Sequence, residues 1–161
     1  MQHDYKDIPT QVAGEKPYFI PTENGQVIAN YDFDCKHLGR HVIAEFFQAD
    51  MDRLNGAPEL EAAMRAAAEH AGATILCSHS HFFEPHGVSA VVIISESNLC
   101  IHSWPEFGYA ACDFFTCGDA VNPWKSFEYL MDYLKAKKVN ASELQRGNTQ
   151  LITDFKPPGY E

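Results

Sequence analysis

Between Ala73 and Thr116 the chain carries four β-prone stretches in close succession: Ala73 to Cys77, Val88 to Ile94, Leu99 to Ser103 and Tyr109 to Thr116. They are punctuated by Glu84-Pro85-His86-Gly87, Ser95-Glu96-Ser97 and Trp104-Pro105-Glu106-Phe107-Gly108. Links this short cannot hold the crossover that parallel neighbours need, so the strands are expected to pair antiparallel. A further core strand is predicted at His41 to Phe47, and a last one at Val139 to Leu144.

Two helices separate these strands. From Pro58 to Ala71, Leu60, Ala63, Met64, Ala67 and Ala71 recur at helical spacing, with Glu59, Glu61, Arg65 and Glu69 on other faces and Gly72 as a stop. Pro123 opens the second, whose Trp124, Phe127, Leu130, Met131 and Leu134 form one stripe; Lys135, Lys137 and Lys138 follow where cations suit the helix dipole. The order β-α-β-β-β-β-α-β predicts an α+β fold, a two-layer sandwich with helices on one face of a mostly antiparallel sheet.

At 161 residues the chain suits one core. Residues 1–36 read as an appended N-terminal arm, 37–147 as the domain and 148–161 as a C-terminal tail. The arm carries Pro9, Gly14, Pro17 and Pro21, and its apolar islands Tyr18 to Ile20 and Val27 to Ala29 suit a small hairpin about Asn24-Gly25. With 12 Lys and Arg against 22 Asp and Glu the net charge is −10, which disfavours nucleic acid and anionic membrane surfaces as partners. No apolar run approaches a membrane span and the first residues lack a signal-peptide profile, so a cytoplasmic protein is expected. Five cysteines without a CxxC pair read as reduced thiols.

Reactive side chains concentrate in Ser95-Glu96-Ser97-Asn98, Cys100, His102, Trp104-Pro105-Glu106 and Cys117-Gly118-Asp119. Three readings of them compete. Ser97 and His102, five residues apart across a tight bend, would form a nucleophile and its base, with Cys117 at the end of the next strand. His79 and His81, on one side of an extended segment with His86 close behind, would supply part of a zinc set, although further ligands are not patterned. In the third reading the serines are turn residues, His102 satisfies a buried hydrogen bond, and Cys35, Cys77, Cys100 and Cys112 are small core hydrophobes.

The blocks Ile94-Ser95-Glu96-Ser97-Asn98-Leu99, Ile101-His102-Ser103-Trp104-Pro105-Glu106, Gly108-Tyr109-Ala110-Ala111 and Phe115-Thr116-Cys117-Gly118 closely resemble the signature of the bacterial S-adenosylmethionine decarboxylase proenzyme family, a pyruvoyl-dependent class. The resemblance runs from near Leu38-Gly39-Arg40-His41 to about Arg146-Gly147. It implies decarboxylation of S-adenosylmethionine to the aminopropyl donor of spermidine and polyamine synthesis. The cofactor it implies is a pyruvoyl group made from Ser97, which takes the substrate amine as a Schiff base, with neither metal nor pyridoxal phosphate.

By the same resemblance the hydroxyl of Ser97 attacks the carbonyl of Glu96, and the chain is autocatalytically cut between them. His102 is the processing base, Ser89 steadies the processing oxyanion, and Cys117 returns a proton to Cα after CO2 leaves. A free thiol is mostly protonated at neutral pH and can donate. Phe83 and Trp104 sandwich the adenine and Glu106 holds the ribose hydroxyls. The family draws these groups from two protomers, which implies a homodimer with shared sites. The resemblance departs at Asn98, where histidine is common, and at Glu84 and His86 around Pro85. Extra acid there would suit a cationic substrate, so arginine or ornithine is the alternative. Two other classes compete: an unprocessed regulatory paralogue, against which Ser97, His102 and Cys117 argue, and a histidine-rich metal-binding module.

Overall fold

The computed structural model describes residues 18–22, 25–30 and 37–149. In chain order these form β1 (Tyr18–Thr22), β2 (Gly25–Asn30), β3 (His37–Phe47), α1 (Met51–Asn55), α2 (Ala57–His70), β4 (Ile75–Phe82), β5 (Val88–Ile94), β6 (Ser97–Trp104), a 3-10 turn (Pro105–Phe107), β7 (Tyr109–Cys117), α3 (Pro123–Leu134) and β8 (Lys138–Asn148). The strands make one sheet in the order β1-β2-β8-β3-β7-β6-β5-β4. All pairings are antiparallel except β2 with β8. The expected α+β architecture is therefore present, with the four short-linked strands side by side as β4 to β7.

Alternation along the strands splits the sheet into two faces. Val42, Ala44 and Phe46 of β3, Val88, Ala90, Val92 and Ile94 of β5, Leu99 and Ile101 of β6, and Ala110, Cys112 and Phe114 of β7 are buried on one. Against that face lie Leu60, Ala63, Met64, Ala67 and Ala68 of α2 and Trp124, Phe127, Leu130 and Leu134 of α3. The rings of Phe46 and Phe127 stack with centroids 5.5 Å apart, pinning α3 to the sheet. The opposite face carries no helix among the described residues, and Ile43, Ile93 and Trp104 remain exposed on it.

Helix ends follow the chemistry of their residues. Asn122 caps α3 by accepting from the Trp124 N–H, and Gly72, at φ +87, turns the chain out of α2. The short helix α1 was not anticipated; Asp50 caps it by accepting from the Asp52 and Arg53 N–H groups. Strand β4 begins at Ile75 and runs to Phe82, so its C-terminal half extends well beyond the expected Cys77. The Asn24-Gly25 hairpin appears as the β1–β2 pair, Tyr18 opposite Ala29, although Asn24 itself and residues 1–17, 23, 31–36 and 150–161 lie outside the described residues.

Candidate active site

The link between β5 and β6 is a two-residue turn, Ser95-Glu96, closed by Ile94 opposite Ser97. Three hydrogen bonds tie it down. The Ser95 N–H donates to the Thr74 carbonyl at 2.8 Å, the Thr74 N–H donates to Glu96 Oε2 at 3.1 Å, and the Cys117 N–H donates to the Glu96 carbonyl oxygen at 2.7 Å. Ser97 adopts φ 148°, a region that residues other than glycine rarely enter and that costs about 1–3 kcal/mol. The peptide joining Glu96 to Ser97 is thus strained on one side and polarised by a fixed N–H donor on the other.

Cys117 ends β7 on the helix-free face with its thiol exposed. It lies opposite Gly39 of β3, where a Cβ would stand 2.7 Å from Phe115 Cε2 and 2.9 Å from the Thr116 carbonyl oxygen. Glycine at 39 therefore lets β3 approach the strand end that carries Cys117.

A second group sits toward the other end of the same face. Ser89 of β5 and His102 of β6 are register partners, with Ser89 Oγ 2.8 Å from His102 Nδ1. Phe83 follows β4 and meets the His81 ring edge-on at 4.6 Å. Trp104 lies 5.4 Å from the Tyr109 ring, and both Phe83 (49%) and Trp104 (40%) are exposed enough to receive a planar ligand. Burial, and then the bond from its hydroxyl to Glu45 Oε1, push the Tyr109 phenol up to about 12. Glu106 projects from the 3-10 turn into a cavity of about 240 Å³ shared with Met51, Asp52, Asn55, His86 and Pro105.

The two groups do not meet within one chain. A bend between Ser97 and His102 was expected, but β6 is one continuous strand over that span. Five residues of strand separate them by roughly 17 Å, whereas proton transfer needs about 3 Å. Glu96, Ser97 and Cys117 share one end of the β6–β7 pair, with Cys117 on the helix-free face and Ser97 in register with buried Ile94 and Thr116; Ser89, His102 and Trp104 lie toward the other end of that face, Phe83 follows β4, and Glu106 lines the cavity beside α1.

Between them lies a set that sequence reading did not connect. His41 Nε2 is 2.9 Å from Asp113 Oδ1, and Arg146 Nη1 is 3.0 Å from His41 Nδ1. Arginine only donates, so Nδ1 accepts and the Nε2–H is directed at Asp113. Beneath the sheet, buried Glu143 takes Arg40 at 2.6 and 3.0 Å and also the Trp124 indole N–H. No sequence motif marks either cluster, because their members come from strands that become neighbours only in the folded sheet.

Among the cysteines, Cys112 is the small core residue expected, Cys100 is half buried with its thiol pushed up by burial, and Cys35 lies outside the described residues. Cys77 departs from the expectation: it is exposed, because it stands on the sheet-edge strand β4 opposite exposed Ile93. His79 and His81 do share one side of β4, yet among the described residues no three His, Cys, Asp or Glu side chains converge on a common point.

Comparison with known proteins bears on this arrangement. The profile of the family described as S-adenosylmethionine decarboxylase matches residues 40–147. Proteins named S-adenosylmethionine decarboxylase proenzyme from Thermotoga petrophila and Thermosipho africanus are each 54% identical over 112 residues, covering 70% of this chain and 86% of theirs. One from Pelotomaculum thermopropionicum is 54% identical over 112 residues and 89% covered. The crystal structure of the adenosylmethionine decarboxylase from Aquifex aeolicus VF5 superposes with a TM-score of 0.66 at 32% identity, over 70% of this chain and 92% of that one.

Proposed function

The chain belongs to the S-adenosylmethionine decarboxylase family, and from that premise we propose that it cuts itself between Glu96 and Ser97 and then decarboxylates S-adenosylmethionine, supplying the aminopropyl donor for polyamine synthesis. The observation that carries the reading is the turn at Ser97: a strained φ of 148° directly after a carbonyl already held by the Cys117 N–H at 2.7 Å. Both features favour an attack on that carbonyl, since cleavage relieves the strain and the N–H is aimed at the oxygen on which charge develops.

In the first stage the Ser97 hydroxyl attacks the Glu96 carbonyl carbon. The C–N bond to Ser97 breaks and an ester takes its place. Elimination across Cα and Cβ of residue 97 expels Glu96 as a free carboxylate and leaves a dehydroalanine, whose imine tautomer takes up water and releases ammonia to give a pyruvoyl group at the new terminus. The turn fits a pyruvoyl precursor: Ser97 is neither deeply buried nor tightly bonded, its hydroxyl making only a 3.3 Å contact to Asn98 Oδ1 among the described residues. Once formed, that group supplies the electrophilic carbonyl that accepts the electron pair left when CO2 departs. Cys117, exposed beside residue 97, delivers the proton to the substrate's Cα.

His102 and Ser89 act on Ser97 of a second copy. The family site needs both ends of the helix-free face at one place, and a single sheet holds them roughly 17 Å apart. A two-fold pairing of two such faces sets the Ser97–Cys117 end of each against the Ser89–His102 end of the other. The exposed apolar side chains of Ile43, Ile93 and Trp104 then find cover. In each composite site Phe83 and Trp104 flank the adenine and Glu106 holds the ribose hydroxyls.

Among the described residues no helix is long and apolar enough to cross a membrane. A cytoplasmic setting agrees with a mechanism that needs Cys117 as a free thiol. The substrate is tested by assaying CO2 release from S-adenosylmethionine, arginine and ornithine in parallel. Release from S-adenosylmethionine is expected; release from arginine or ornithine alone would move the assignment to an amino-acid decarboxylase, for which the departures at Glu84, His86 and Asn98 would account.

A further inference from the structure

Thr116 is 1% exposed, and its hydroxyl Oγ1 has no hydrogen-bond partner among the described residues. A buried hydroxyl without a partner is a standing cost to the fold that valine, of the same shape, would avoid. Its position gives that cost a purpose. Thr116 is the register partner of Ser97 across β6 and β7. The bond from the Cys117 N–H to the Glu96 carbonyl makes Glu96 and Cys117 a hydrogen-bonded pair, so Ser97 and Thr116 form the next, non-hydrogen-bonded pair, in which facing side chains come closest. The unpaired hydroxyl therefore stands across the ladder from the serine that must move, and that serine is held only by the 3.3 Å contact to Asn98.

Resting on the self-processing reading above, we infer that Thr116 is a positioning residue for self-cleavage: its hydroxyl takes over the hydrogen bond of the Ser97 hydroxyl as Ser97 leaves Asn98 and turns onto the Glu96 carbonyl carbon. Thr116 exchanges no atom. The Ser97 Oγ–C bond forms, the C–N bond between Glu96 and Ser97 breaks, and the hydroxyl proton passes through the base to the freed nitrogen. What Thr116 contributes is the direction of approach, and its hydroxyl is left unpaired in the uncut chain because its partner arrives during the reaction.

The test follows cleavage of newly synthesised full-length chain by intact mass over time, for wild type, Thr116→Val and Thr116→Ser, with melting temperatures of the uncut forms measured in a Ser97→Ala background. The inference predicts that Thr116→Val cleaves at least about tenfold more slowly while its melting temperature stays level or rises, and that Thr116→Ser keeps the wild-type rate. Cleavage of Thr116→Val at the wild-type rate overturns the inference. So does a lowered melting temperature or failure to fold, which would mean that the hydroxyl is structurally engaged, and so, independently, does slow cleavage of Thr116→Ser, which keeps the hydroxyl. A wild-type chain that never cleaves removes the self-processing reading itself, whereas a cleaving wild type beside an equally fast Thr116→Val removes only the role of Thr116.

Discussion

If each active site is assembled from two chains, two dead variants must be able to rescue one another. Ser97→Ala removes the proposed cut site, and His102→Ala removes the proposed processing base. The two residues are five positions apart on one straight strand, about 17 Å, so a His102 side chain cannot serve the Ser97 of its own chain. Each variant alone is expected to stay uncut. Co-expressed with different tags at equal levels, about half of all dimers are mixed, and each mixed dimer has one site with both wild-type residues and one with neither. About half of the His102→Ala chains should then be cut, none of the Ser97→Ala chains, and activity should recover to about a quarter of the wild-type level per site. Intact mass resolves the two tagged chains. If His102→Ala stays whole in the mixture, the composite site is refuted; if it is cut when expressed alone, His102 is not the base.

Other consequences follow from the same geometry. Cys117→Ala retains the backbone N–H that polarises the Glu96 carbonyl, so processing should persist while productive turnover falls by about 100-fold or more; wild-type turnover in that variant would exclude the thiol as proton donor. Glu143→Gln leaves the partly buried Arg40 guanidinium without its carboxylate and should cost about 3 kcal/mol, read as a lowered urea midpoint. Glu61 accepts hydrogen bonds from Ser78 and then Ser80, each at 2.6 Å, which hold its carboxyl below its ordinary value of 4.5. That contribution is complete above 4.5 and lost as the pH falls through the lower folded value, so Glu61→Gln should flatten the acid limb of the stability curve and leave neutral pH little changed.

Local features were legible in the sequence because local chemistry determines them. Leu60, Ala63, Met64 and Ala67 were placed on the buried side of α2 by spacing alone, and Val88 to Ile94 emerged as β5 with unchanged limits. The five-residue helix α1 is too short to show a period. What could not be read was which strands meet: β3 inserts between β7 and β8, and that long-range choice creates both the His41–Asp113–Arg146 set and the Arg40–Glu143–Trp124 set. The supposed bend between Ser97 and His102 failed for a related reason. Leu99 and Ile101 alternate cleanly into the core, so the expected strand at Leu99 to Ser103 extends back to Ser97 without a bend and sets Asn98, Cys100, His102 and Trp104 on the outer face. Family motifs suggested the candidate site residues, but their division between two ends of one sheet became visible only in the fold.

The most direct measurement is the intact mass of freshly made, folded protein, together with its reaction with hydroxylamine or borohydride. Self-cleavage predicts two fragments, residues 1–96 ending in a free Glu96 carboxylate and residues 97–161 beginning with a ketone that both reagents modify, while Ser97→Ala remains whole. A folded wild-type chain that persists at full length and reacts with neither reagent would contradict the account.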